Sequence, residues 1–226
     1  MKKTLIAIAA ALMAAPAFAQ EVSASIPSSS SAPADNALEI TLGAGYAQGF
    51  GDIGSNARRV QDLSQAGGEL QLGLGWRINP NFMVGAYGSG GYHATGDYTS
   101  GANIYTATAG LQANYHFLPT AKLDPWVGLG SGWRGMWVDH NGTDSRHGLD
   151  LARVTAGLDY RVAPEFAVSP YVGAGLTTFL TQESAGEQAF TNVRGPDVNV
   201  WVFGGIQGRF DLFGSKGSSI ALASND

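Results

Sequence analysis

Residues 125–138 read P-W-V-G-L-G-S-G-W-R-G-M-W-V. Side chains of a β-strand alternate between faces, so this stretch sorts into two sets. Val127, Leu129, Ser131, Trp133, Gly135 and Trp137 share one parity; Trp126, Gly128, Gly130, Gly132, Arg134 and Met136 share the other. The first set is oily and carries indoles, whereas the second is mainly glycine with one arginine. At 14 residues the run is longer than a soluble sheet usually needs. A tilted strand that crosses a bilayer takes roughly 9–11 residues, which this one covers with margin. The opening returns at 170–176 as P-Y-V-G-A-G-L. The pattern predicts a strand of a membrane-spanning β-barrel.

Working outward, eight segments alternate in the same way: 38–48, 68–78, 82–93, 102–117, 125–138, 149–162, 167–180 and 198–213. In the last of them Trp201 and Phe203 fall on the parity of Asn199 and Gln207, so either a bulge or mixed packing is required there. The connectors after odd segments, 49–67, 94–101, 139–148 and 181–197, are long and polar. Those after even segments, 79–81, 118–124 and 163–166, are short and hold Pro80, Pro119 and Pro164. Long loops at one end and tight turns at the other fit an outer-membrane barrel with its turns in the periplasm. A soluble eight-stranded barrel has the same strand count. Its outer face would meet water and carry charge, however, and apart from Asp150 at the start of the sixth segment the outward parity here holds no Asp, Glu, Lys or Arg. The expected fold is therefore all-β, an eight-stranded antiparallel up-and-down transmembrane β-barrel.

The inward parity carries the ions: Glu39, Glu69, Asp159 and Asp211 against Arg77, Arg134, Arg153, Arg161 and Arg209. A barrel of eight strands is filled by its own side chains, and unpaired buried charge is costly. These residues are expected to form a hydrogen-bonded polar plug with no open aqueous pore. Aromatics cluster near the ends of the outward strips: Trp76, Phe82, Tyr115, Phe117 and Tyr160 on the turn side, and Tyr46, Tyr92, Tyr105, Trp133 and Trp137 on the loop side. Amphipathic rings prefer the membrane–water boundary, which predicts two girdles.

The flanks read differently. Residues 1–19 combine Lys2 and Lys3, an apolar run from Leu5 to Ala15 and Ala17-Phe18-Ala19, the pattern of a signal peptide cut before Gln20. Residues 20–37 are rich in Ser, Ala and Pro and read as a flexible periplasmic linker, residues 38–213 as the barrel and 214–226 as a C-terminal tail. Without Lys2 and Lys3 the chain has 11 basic and 18 acidic residues, a net charge of −7, which argues against nucleic acid as a partner. It has no cysteine, so disulfides and thiolate metal sites are excluded.

Catalytic and metal signatures are weak. His93 and His116 point inward without a ligand-spaced neighbour in sequence, and His140 and His147 lie in the third loop. Residues 139–144, D-H-N-G-T-D, offer oxygen donors but lack the spacing of a calcium loop, and Asn-Gly favours a hairpin tip. Ser131 faces outward between Leu129 and Trp133 with no paired base, and no G-x-S-x-G elbow occurs. Arg58-Arg59 in the first loop offers forked donors for lipopolysaccharide phosphates, although a solvated loop pair is the favoured account. No catalytic residue, cofactor or metal is assigned.

The signal-type start, P-W-V-G-L-G-S-G-W, P-Y-V-G-A-G-L and the late G-G-I-Q-G-R-F make residues 38–213 resemble the small outer-membrane β-barrel domain family, which includes opacity-type and Ail-type eight-stranded surface proteins. The resemblance implies residence in the outer membrane of a diderm bacterium and contact with its lipid and lipopolysaccharide. It also implies delivery by the outer-membrane insertion machinery. That machinery reads a terminal aromatic; here Phe210 or Phe213 would serve, since the chain runs on as G-S-K-G-S-S-I-A-L-A-S-N-D. The expected function is structural or adhesive, carried by surface loops 49–67 and 181–197 of a monomer and aimed at surface or host ligands, without catalysis. The runner-up is a narrow conduit or binding site for small apolar molecules lined by Trp201, Phe203 and Tyr171. A lipid-modifying enzyme ranks third.

Overall fold

A computed structural model of the chain describes residues 36–55, 58–186 and 189–213. The signal-type segment, the linker up to residue 35 and the tail from 214 lie outside them. The barrel strands are β1 (Ala37–Phe50), β2 (Ser64–Asn79), β3 (Phe82–Thr95), β4 (Asn103–His116), β5 (Leu123–Asp139), β6 (Thr143–Ala163), β7 (Phe166–Glu183) and β9 (Val198–Leu212). A two-residue strand β8 (Thr191–Asn192) and a one-turn helix α1 (Val60–Leu63) sit in the fourth and first loops. Each barrel strand pairs antiparallel with the next. The ring closes where β9 lies between β7 and β1, from Leu38↔Leu212 to Phe50↔Val200. Closure leaves no barrel strand with an unpaired edge.

Alternation is obeyed almost everywhere. Leu42, Leu70, Leu72, Leu111, Leu129, Val172 and Ile206 all stand exposed on the outside, Leu111 to 72%. Trp126, Arg134 and Met136 of β5 are buried inside. Trp201 and Phe203 belong to an unbroken register with both neighbours, so no bulge is involved; they are aromatic members of the interior. The one slip near the middle of the wall is in β6, where pairing shifts between Asp150 and Ala152 against β7 and between Gly130 and Gly132 against β5. The extra residue leaves Leu149 and Leu151 both outside while Asp150 and Arg153 point in.

Loop lengths differ from the sequence reading at one end. Residues 139–148 are not a long polar connector: β5 and β6 run on as a hairpin and turn over His140–Gly142. Asn141 (φ 53) and Gly142 (φ 136) supply the positive-φ pair that a tight turn needs. Inward glycines allow the strands to approach closely. A Cβ on Gly45 would stand 2.8 Å from the Cα of its partner Gly205, and one on Gly110 at the same distance from Gly132.

Candidate functional site

The lumen is filled in layers. At the turn end, Arg77 donates to the Glu39 carboxylate and to the Pro80 carbonyl, and Arg209 donates to Asp159. His116 Nδ1 donates to Asp124 Oδ2 at 2.8 Å. Asp211 is approached to 3.8 Å by each of Arg77, Arg161 and Arg209. Arg161 also caps the turns, donating to Pro164 O at 3.1 Å and Pro119 O at 3.2 Å. These side chains are buried, so each charge is held by its partners and not by water.

The middle layer is aromatic and cationic. Trp126 Nε1 donates to Ser169 Oγ at 3.0 Å and packs in one cluster with Tyr171 and Phe203. Arg153 donates to Gln71 at 2.8 Å and lies 3.7 Å over the Phe203 ring and 4.8 Å over Tyr87. Above it Arg134 grips Asp150 with two bonds, Nε to Oδ1 at 2.9 Å and Nη2 to Oδ2 at 3.1 Å. The Thr177 hydroxyl donates to the same carboxylate, and Trp201 stacks on the Arg134 guanidinium at 4.3 Å.

The loop end is shut by an apolar cap. Ile53 from loop 1, Val60 and Leu63 of α1 and Val193 from loop 4 bury themselves against Met136, Phe179 and Trp201. His93 sits just beneath, with Nε2 2.8 Å from the Thr106 hydroxyl and its ring edge-on to Trp201.

All nine interior residues named from the sequence are buried; seven of them take part in ion pairs, whereas Glu69 and Arg153 have no opposite charge within ion-pairing distance among the described residues. His116, inward by its parity in the sequence, joins them in the structure, together with Asp124 and Asp150, which the sequence pattern does not place there. His116, Asp124 and Asp159 present ligand atoms within 4.8 Å of one another. The donor set does not suit a metal, because Arg209 already holds Asp159 and its Nη1 lies 3.2 Å from His116 Nδ1, while Arg77 Nη2 lies 3.4 Å from Nε2. Two guanidinium charges stand where a cation would have to go. Ser131 Oγ donates to the Asp150 carbonyl at 2.9 Å, pinning the bulge.

On the outside, the turn-side rings Trp76, Phe82, Tyr115, Phe117 and Tyr160 are exposed at one end, and Tyr46, Tyr92, Tyr105 and Trp133 at the other. Trp137 is half-buried, packed with Trp133 and His147, and Phe190 of loop 4 closes over the same histidine at 5.4 Å.

Above the cap lies a cavity of about 620 Å³ lined by loops 1 and 4 and by the loop ends of β6 and β7. The Arg58-Arg59 pair divides there. Arg59 turns to Asp52 at 3.6 Å, whereas Arg58 stacks 4.3 Å over Tyr98 and lines the cavity together with Arg146 and Arg194.

The outer membrane protein beta-barrel domain family matches residues 5–204 of this chain. No curated protein matches it. Among solved structures, Neisserial surface protein A is similar with 16% identity and a TM-score of 0.53, covering 77% of this chain and 97% of that one. OprG of Pseudomonas aeruginosa is similar with 13% identity and a TM-score of 0.51, covering 80% and 98%. At these identities the likeness is one of fold.

Proposed function

This chain belongs to the outer membrane protein beta-barrel domain family, and from that premise we propose a non-catalytic surface protein whose loops form a rigid structural or adhesive platform. The uncharged outer wall is the lipid-facing belt, flanked by the two sets of exposed rings as interfacial girdles against lipid and lipopolysaccharide. The ion-paired layers are a permanent plug. The segment at 1–19 directs export, and insertion machinery reads Phe210 or Phe213 before the monomer settles in the membrane.

One observation carries the reading: Ile53, Val60, Leu63 and Val193 of loops 1 and 4 pack onto the barrel's own Met136, Phe179 and Trp201. Loops anchored through a shared apolar core present a fixed surface, which is what recognition needs from a scaffold. The same packing weighs against the conduit, whose three proposed lining residues split between two clusters, Trp201 in the cap and Tyr171 with Phe203 below. Cells whose loops 1 and 4 are trimmed should lose surface contacts while the barrel still folds. Unchanged contacts would refute the proposal. Purified protein in liposomes should admit no small apolar solute, and incubation with lipid A or phospholipid should give no product.

A further inference from the structure

We propose that the extracellular cavity above the cap is a binding site for a sugar-like ligand bearing phosphate or sulfate esters, an assignment that rests on the loop-platform reading above and supplies its ligand chemistry. The chain is acidic, with 18 Asp+Glu against 13 Lys+Arg. Arg77, Arg134, Arg153, Arg161 and Arg209 are buried in the lumen lattice. Among the described residues the remaining cations are Arg58, Arg59, Lys122, Arg146 and Arg194. Three of these five, Arg58, Arg146 and Arg194, line this one cavity. Positive charge is thus concentrated at a single place on an otherwise acidic molecule.

The arginines there are not spent on partners. No carboxylate among the described residues lies within ion-pairing distance of Arg146 or Arg194, and Arg146 Nη1 is buried without a hydrogen-bond partner among them. Arg58 is held by a tyrosine face, with no carboxylate among the described residues within ion-pairing distance. The one lining acid, Asp144, has Oδ1 engaged by the Ala185 N–H at 2.8 Å. Guanidinium forks match the paired oxygens of a phosphate or sulfate ester. Gln182 and Asn192 add donors and acceptors suited to hydroxyls, and the apolar floor of Ile53, Leu63 and Val193 suits the face of a ring. A volume of about 620 Å³ falls within the range of small-ligand sites. Every lining residue lies at the loop end, so the cavity is filled from outside the cell.

The test uses the full barrel in nanodiscs of phosphatidylcholine, titrated calorimetrically with myo-inositol hexakisphosphate and with neutral myo-inositol. The hexakisphosphate should bind saturably and more weakly as ionic strength rises, and myo-inositol should not bind. Arg146→Gln and Arg194→Gln should each weaken binding about tenfold or more. Lys122→Gln, the same charge change at the opposite end of the barrel, should leave it unchanged. Arg194 is exposed in loop 4, so its variant keeps the test open if Arg146→Gln fails to fold. A parallel titration in discs that contain lipopolysaccharide separates the sources. Competition assigns the site to phosphates of the membrane's own glycolipid, and its absence assigns it to a ligand from solution. Equal affinity in wild type and both arginine variants, or equal loss in Lys122→Gln, overturns the proposal. If loop trimming abolishes surface contacts but the arginine variants bind as wild type, the platform stands and the anion site falls; intact anion binding with contacts that survive trimming is the reverse.

Discussion

Removing one partner of the Arg134–Asp150 pair should cost far more than removing both. The guanidinium is 1% exposed and bonds Asp150 through two atoms, at 2.9 and 3.1 Å, while Trp201 covers its face. Arg134→Met leaves a buried carboxylate held only by the Thr177 hydroxyl, and Asp150→Leu leaves a buried cation. Breaking a buried pair in this way costs about 3–5 kcal/mol. Replacing both partners by apolar side chains of similar bulk removes two desolvation penalties together with the attraction, and is expected within about 1 kcal/mol of wild type. The coupling energy from the cycle should therefore reach at least about 3 kcal/mol. Reversible urea unfolding of the four proteins in lipid vesicles would measure it, followed by tryptophan emission and by the mobility of unheated and heated samples on a gel. Singles that add up in the double variant, with coupling below about 0.5 kcal/mol, would show that the layer does not act as an ion-paired unit.

Charge on the outer wall should be punished by depth: Leu111→Arg is expected to cost about 2–4 kcal/mol, and Tyr92→Arg near the loop end about 0–1 kcal/mol, in the same unfolding assay. Gly45→Val should prevent the β1–β9 seam from closing, since the new side chain meets Gly205 backbone, and no heat-modifiable folded band should form on refolding. Val60→Asp removes a fully buried apolar group from the cap, loosening loops 1 and 4. Trypsin cleavage at Arg59 and Arg194 should then rise roughly tenfold to a hundredfold over wild type, with the barrel left intact.

The wall was legible in the sequence because hydrocarbon tolerates so little: Leu70, Leu72 and Leu74 facing out against Glu69, Gln71 and Gly73 admit one register, and a slip would invert it. The interior arginines followed from the same parity. Asp150 did not, because the bulge at Leu151 breaks the count at the next residue, and no local pattern announces a bulge. Asp124 escaped because it lies beside a turn and meets His116 only when β4 and β5 pair. The cap was hidden in loops that read as polar. Its trace is the i, i+3 pair Val60 and Leu63, a single helical turn of apolar residues that gives no periodic signal of its own. Arg146 was invisible as a site residue while 139–148 counted as a loop; the hairpin places it on β6 opposite Met136, facing the axis beside two loops distant in sequence.

The account stands on alternate residues of β5 facing hydrocarbon, and the absence of native cysteine makes that directly measurable. Single cysteines introduced in turn from Val127 to Trp137, spin-labelled in lipid vesicles, should show accessibility to dissolved oxygen with a period of two. Labels at 127, 129, 131 and 133 should be relaxed by oxygen and shielded from a water-soluble nickel chelate; those at 128, 130, 132 and 134 should be shielded from both. A flat profile along the strand, or nickel reaching the odd-numbered positions, would contradict a barrel wall set in lipid.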